Sequence, residues 1–121
     1  MASTKAVTVI SNDVTLTAAG GETTSSVGTI DDGYGVELYI KVTTTGDGTT
    51  NGIPVQIDCS PDNSHWYAFG GALLSGTAAS TAYSWCIEIP PGVEYVRTRA
   101  TADADYNTTL RVEYSEITAL S

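Results

Sequence analysis

Between positions 36 and 43 apolar and polar residues alternate without a break. Val36, Leu38, Ile40 and Val42 are interleaved with Glu37, Tyr39, Lys41 and Thr43. An extended chain turns successive side chains to opposite faces, so this run predicts a strand with one face in a core and the other in water. The same alternation marks Val55, Ile57 and Cys59, then Tyr83, Trp85, Ile87 and Ile89, then Leu110, Val112 and Tyr114. Weaker strands are predicted over 6–10, 14–17, 26–30, 66–70 and 95–102. No window of helical length repeats apolar residues at three and four without Gly, Pro or a Thr run breaking it.

Turn chemistry separates the strands. Gly20-Gly21, Asp32-Gly33, Asp47-Gly48, Asn51-Gly52, Pro61-Asp62-Asn63 and Pro90-Pro91-Gly92 each supply a positive φ, a fixed φ or an Asx hydrogen bond. The Thr-Gly-rich stretch 43–51 reads as an exposed hairpin loop. Strands at roughly ten-residue spacing with turns between them predict an all-β chain. The expected form is a single antiparallel β-sandwich of about eight strands, Greek-key or jelly-roll-like, with its strand order open. The sandwich domain is placed at 7–118, with residues 1–6 as a candidate N-terminal arm.

Composition agrees with one domain: 121 residues, 41% of them hydrophobic, are enough to bury roughly two thirds of the unfolded surface. Charge narrows the set of partners. Five Lys and Arg stand against 14 Asp and Glu, a net charge of −9, and the cations are scattered or near Glu94 and Glu113. Binding nucleic acid through its backbone needs clustered cations, so no nucleic acid and no anionic membrane is expected as a partner. The opening MASTKAVTVIS holds no apolar run of the secretory kind, and no uncharged stretch reaches transmembrane length, so synthesis and retention in the cytosol are expected. On that basis Cys59 and Cys86 are read as two buried free thiols, a disulfide being the lesser alternative.

Candidate chemistry is sparse. A nucleophilic triad needs a histidine, and His65 alone, between Ser64 and Trp66 after a turn, reads as a solvated loop residue. Glu88 and Glu113 alternate with apolar residues and belong to a wet face, where nothing raises a carboxyl pKa for acid catalysis. Asp103, Asp105 and Asn107 imitate the opening of a calcium loop. The sixth-position Gly is missing and Tyr114 stands where the bidentate Glu belongs, so an acidic β-hairpin is the reading. No CxxC spacing supports zinc, and no Gly-rich loop leads into a helix to hold a phosphate. No catalytic residue, metal or cofactor is therefore assigned. Asp62 is read as closing an Asx turn with Trp66 covering it, and Trp66, Tyr67 and Phe69 form an aromatic run.

The order DVTLTAAGGETTSSVGTI, VELYIKVTT, a Thr-Gly loop, VQIDCSPDNSHWY, PPGVEYVRTRAT and TLRVEYSEI resembles small β-sandwich structural proteins of tailed-bacteriophage virions, over 13–117. The resemblance implies a capsid decoration or cement protein that binds without turnover. It implies a major capsid protein or another virion protein as partner, a homo-oligomer with trimer favoured over dimer, and a place on the outer capsid surface after synthesis in the host cytoplasm. The expected interface residues are Ser3, Lys5, Trp66, Tyr67 and Phe69. Two alternatives are a neck or tail accessory protein and a carbohydrate-binding module for host-surface attachment, using Trp66, Tyr67 or Tyr39.

Overall fold

The computed structural model describes residues 3–30, 36–45, 49, 52–74, 80–90 and 92–120, with side chains over 6–116 of these. The turns expected at Asp32-Gly33 and Asp47-Gly48, and Asn51 and Pro91 of two others, lie outside the described residues. Among the described residues nine strands form: β1 Ser3–Leu16, β2 Glu22–Thr24, β3 Gly28–Thr29, β4 Val36–Thr44, β5 Ile53–Ser60, β6 Tyr67–Leu74, β7 Ala82–Ile89, β8 Tyr95–Thr101 and β9 Thr108–Leu120. Every pairing is antiparallel. No helix is present among the described residues.

One sheet runs β1-β9-β4-β7 and the other β2-β8-β5-β6, with β3 also on β8. The β2 and β3 pairs follow one another along β8, Glu22 opposite Thr101 and Gly28 opposite Val96, so the two are one strand interrupted at 25–27. With that strand counted once there are eight, each lying in the other sheet from the strand before it except β6, which pairs with β5, and this is the order of a jelly roll. The β4–β5 and β8–β9 connections consequently cross between sheets. Neither 43–51 nor 103–107 is the hairpin that local turn chemistry suggests, because the strands flanking each are hydrogen-bonded elsewhere.

Alternation in β4 becomes burial directly: Val36, Leu38, Ile40 and Val42 are 4%, 0%, 1% and 1% exposed. They meet Ile53, Val55 and Ile57 of β5, Val96 and Ala100 of β8, and Leu110, Val112 and Tyr114 of β9 in one core. In β7, Tyr83, Trp85 and Ile87 also turn inward, yet only Ile89 is fully buried. The reason is position, since β7 is an edge strand and its inward side chains lack a neighbour on one side.

The segments 6–10 and 14–17 are one strand. Register shifts between Val9 and Ser11 and between Ser11 and Val14, with Asp13 at φ 50°, take up the extra residues as bulges. Residues read as a candidate arm are part of this strand from Ser3 onward: Ser3 pairs with Leu120, Thr4 with Ala119 and Lys5 with Ile117.

Candidate functional site

Among the described residues, side chains capable of recognition are carried by the β1 edge, by the turn leading into β6, and by an ion network on the outer face of the five-stranded sheet. Each is fixed by pairing that brings distant segments together.

The free side of β1 is an open sheet edge. Among the described residues one backbone bond reaches β1 from outside β9, from the Ser26 amide to the Ile10 carbonyl at 3.0 Å. The run 5–9 is free of internal bulges, and Val7 and Val9 are 65% and 39% exposed. No acid occurs from 3 to 12, although the chain as a whole is strongly acidic. Natural edges are normally blunted by charge, proline or bulges, and within 5–9 only Lys5 does so, the bulges of β1 lying on either side. Ser3 and Lys5 lie on this edge by backbone position.

In the turn 60–66 the Asp62 carboxylate organises the chain. Its Oδ1 accepts from the Ser64 and His65 amides at 2.9 and 2.8 Å, and its Oδ2 meets His65 Nδ1 at 2.6 Å. The His65 amide and ring bonds and the Ser64 amide hold the Asp62 carboxyl far below its ordinary range. This is the expected Asx turn. Ser60 is a structural member of it, its buried hydroxyl accepting from the Asp62 and Asn63 amides at 3.3 and 2.9 Å.

Trp66 leaves this turn half-buried, with the Arg97 guanidinium 4.2 Å from its ring centroid. That cation–π contact covers one indole face. Tyr67 and Phe69 are 64% and 37% exposed on β6, an edge of the other sheet. A bulge separates them: Gly70 pairs with Ile57 and Ala68 with Asp58, so Phe69 has no residue of β5 opposite it. Ser3 and Lys5 therefore sit on the edge of one sheet and the aromatic run on the edge of the other.

Asp58 is the residue that alternation misplaces. Its position opposite to Ile57 and Cys59 predicts a wet face, but it is 2% exposed. Arg99 donates to it through Nε at 2.6 Å and Nη2 at 3.0 Å, and Arg97 through Nε at 3.1 Å. Burial raises the Asp58 carboxyl, and the hydrogen bonds and charges of Arg99 and Arg97 overcome it, leaving the pKa below the ordinary value. Arg99 also meets Glu22 at 3.4 Å. Two of the five cations thus belong to an acid about forty residues away, which proximity in sequence to Glu94 does not reveal.

The cysteines are free, as expected, but not both buried: Cys59 is half-buried and Cys86 exposed. Cys86 faces outward because β7 turns Trp85 and Ile87 to the core. Its Sγ donates to Glu37 Oε1 at 2.8 Å, and this bond, with some burial and the Glu37 charge, pushes the thiol up to about 11. Despite its exposure Cys86 is expected to alkylate slowly at pH 8. In Glu37→Gln the rate, followed by mass spectrometry of the Cys86 peptide, is expected to rise about tenfold as the thiolate becomes accessible.

Asp103 is 3% exposed, and its Oδ2 accepts from the Asp105 and Tyr106 amides, both at 3.1 Å. Asn107 Oδ1 accepts from the Ala18 amide at 2.7 Å. These oxygens shape the β8–β9 crossover, and among the described residues no group of three or more His, Cys, Asp or Glu is arranged to hold a metal.

No family model and no curated protein matches the sequence. Solved structures match the fold at low identity. The SPBc2 prophage-derived protein YomS is 11% identical with a TM-score of 0.53, covering 96% of each chain. The VP2 subviral particle of infectious bursal disease virus is 8% identical with a TM-score of 0.58, over 93% of this chain and 32% of that one. The K1 cleaved adhesin domain of Lys-gingipain from Porphyromonas gingivalis W83 is 14% identical with a TM-score of 0.58, over 92% of this chain and 97% of that one. This chain spans about a third of the VP2 protein. At such identities the likeness establishes a shared β-sandwich and nothing about activity.

Proposed function

We propose that this chain is a non-enzymatic virion structural protein of a tailed bacteriophage, which binds and stabilises the capsid as a decoration or cement protein. The observation that carries the reading is the β1 edge, with bulge-free backbone over 5–9, exposed Val7 and Val9, and no acid from 3 to 12. A sheet edge of this kind accepts an extended strand of another protein, main-chain hydrogen bonds supplying affinity and side chains the register. Support comes also from the fold likeness to a prophage-derived protein over 96% of its length and to part of a subviral-particle protein. Jelly rolls build viral shells and lectins alike, so the fold narrows the choice without deciding it. The rigid two-sheet core suits a protein that must present one surface at many identical positions. Self-association as a trimer on the outer capsid surface completes the proposal.

The test is co-sedimentation of the purified chain with particles stripped of it. Binding in many copies per particle is expected, with restored resistance to heat and osmotic shock. Val7→Lys with Val9→Lys is expected to weaken binding at least tenfold while leaving the fold intact, because both residues are already in water. A copy number of only a few would place the protein at the neck or tail instead. Stripped particles as resistant as intact ones would sink the cement reading.

A further inference from the structure

The outer face of the four-stranded sheet carries an arrangement that a purely structural protein does not require. Register sets it: Lys41 stands between Arg111 on β9 and Ser84 on β7, and Tyr39 between Glu113 and Cys86. Together with Ile40 and Trp85, these residues line a depression of about 400 Å³. That volume falls within the range of small-molecule sites.

Charge is divided across it. Two of the five cations face each other directly on neighbouring strands, a repulsive placement in a chain with 14 acids. Arg111 is held in position, Nη1 donating to Asn12 Oδ1 at 2.9 Å and Asp13 Oδ2 at 3.2 Å, and Nη2 to Glu113 Oε2 at 3.3 Å. Lys41 is exposed and has no ion pair among the described residues. One end of the depression therefore offers the Lys41 ammonium and the Ser84 hydroxyl. The other offers the Tyr39 ring, 43% exposed, beside the Glu113 carboxylate.

We propose that this depression binds a carboxylated sugar unit, a pyranose ring bearing one acid group. Its carboxylate meets Lys41 and Ser84, its ring packs on Tyr39, and its hydroxyls donate to Glu113. A neutral sugar leaves the Lys41 ammonium without a counter-charge, whereas Arg111 already has Asp13 and Glu113. A small inorganic anion leaves Tyr39 without a partner and is repelled by Glu113. The ligand that matches both ends has one negative charge, an apolar ring face and several O–H donors. This inference stands on the sheet's outer face and does not depend on the β1 edge or on a place in a virion.

The experiment is titration of the isotopically labelled chain, followed by amide and side-chain NMR shifts, with glucuronate and with N-acetylneuraminate, against glucose and acetate. With at least one of the two sugar acids, saturable shifts confined to Tyr39, Lys41, Ser84, Cys86, Arg111 and Glu113 are expected. A single sugar residue on an open site should bind in roughly the millimolar range. The sugar acid that binds more tightly identifies the glycan source. Glucose and acetate are expected to bind at least tenfold more weakly, and Lys41→Gln and Tyr39→Ala each to weaken sugar-acid binding about tenfold. Both residues are exposed, so an unchanged spectrum elsewhere verifies folding. Acetate matching the sugar acids, shifts centred on another surface, no saturation with either acid, or an unaltered affinity in Lys41→Gln would each overturn the proposal.

Discussion

Gly28→Ala is expected to destabilise the protein by about 1–3 kcal/mol, the cost of overpacking a filled core. A Cβ at this position lies 2.5 Å from Cε1 of Tyr114, 3.1 Å from its Cζ and 3.2 Å from its hydroxyl oxygen. Tyr114 cannot yield easily. It is 2% exposed within the core, and its hydroxyl donates to the Thr29 carbonyl at 3.1 Å, tying β9 of one sheet to β3 of the other. Retreat of the ring sacrifices that bond as well as packing. Thermal unfolding checks the effect, at roughly 4 °C of Tm for each kcal/mol in a domain of this size. Tyr114→Leu provides the control, since removing the ring should abolish most of the additional cost of Gly28→Ala. Additive losses in the double variant would show that the clash is not the cause.

Asp58→Ala is expected to cost about 2–3 kcal/mol, below the usual range for breaking a buried ion pair. The reduction follows from geometry: the carboxylate is buried, but the Arg97 and Arg99 side chains are 25% and 32% exposed and can turn partly to water. The loss goes beyond charge, because Arg97 also holds Trp66 through its ring face. Denaturant unfolding is the measurement, and a cost under 0.5 kcal/mol would show that the network adds nothing net, as exposed pairs often do. A pH dependence follows from the same residue. Its folded pKa lies below the unfolded value near 3.8, so the unfolded chain takes up the proton first as pH falls. Its contribution is thus present above about pH 4 and is lost as pH drops through the folded pKa. Asp58→Asn is expected to flatten this part of the acid limb, although Asp62, lowered by its turn hydrogen bonds, retains its own share.

Both effects depend on residues whose importance only pairing across the molecule reveals. Gly28 lies in a strand of two residues and meets a side chain 86 positions away. Asp58 alternates with Ile57 and Cys59 as a surface residue would, and is buried only because β8 aligns Arg97 opposite it and Arg99 opposite Gln56. Of the expected interface residues, Tyr67 and Phe69 are exposed, whereas Trp66 has one ring face covered by Arg97. That contact occupies one face of the Trp66 ring. Tyr39, also named for carbohydrate binding, lies in the charged depression of the opposite sheet.

What the amino-acid sequence by itself determined was local. Strict alternation in β4, β5 and β9 assigned the core face because neighbouring side chains on a strand point apart, whatever the strand pairs with. The Asx turn at Asp62 was equally legible, since a carboxylate reaches amides two and three residues on without outside help. The tertiary structure decided what depends on strand order. It made the 43–51 and 103–107 connections crossovers between sheets, left β1 and β7 at the edges, and merged 6–10 and 14–17 into one bulged strand. It also set Lys41 beside Arg111 and drew both arginines of β8 to Asp58. Hydrophobic periodicity records which face of a strand is buried but carries no label for the neighbouring strand. In a jelly roll those neighbours come from distant parts of the chain, so its edges, ion networks and depressions arise only on assembly.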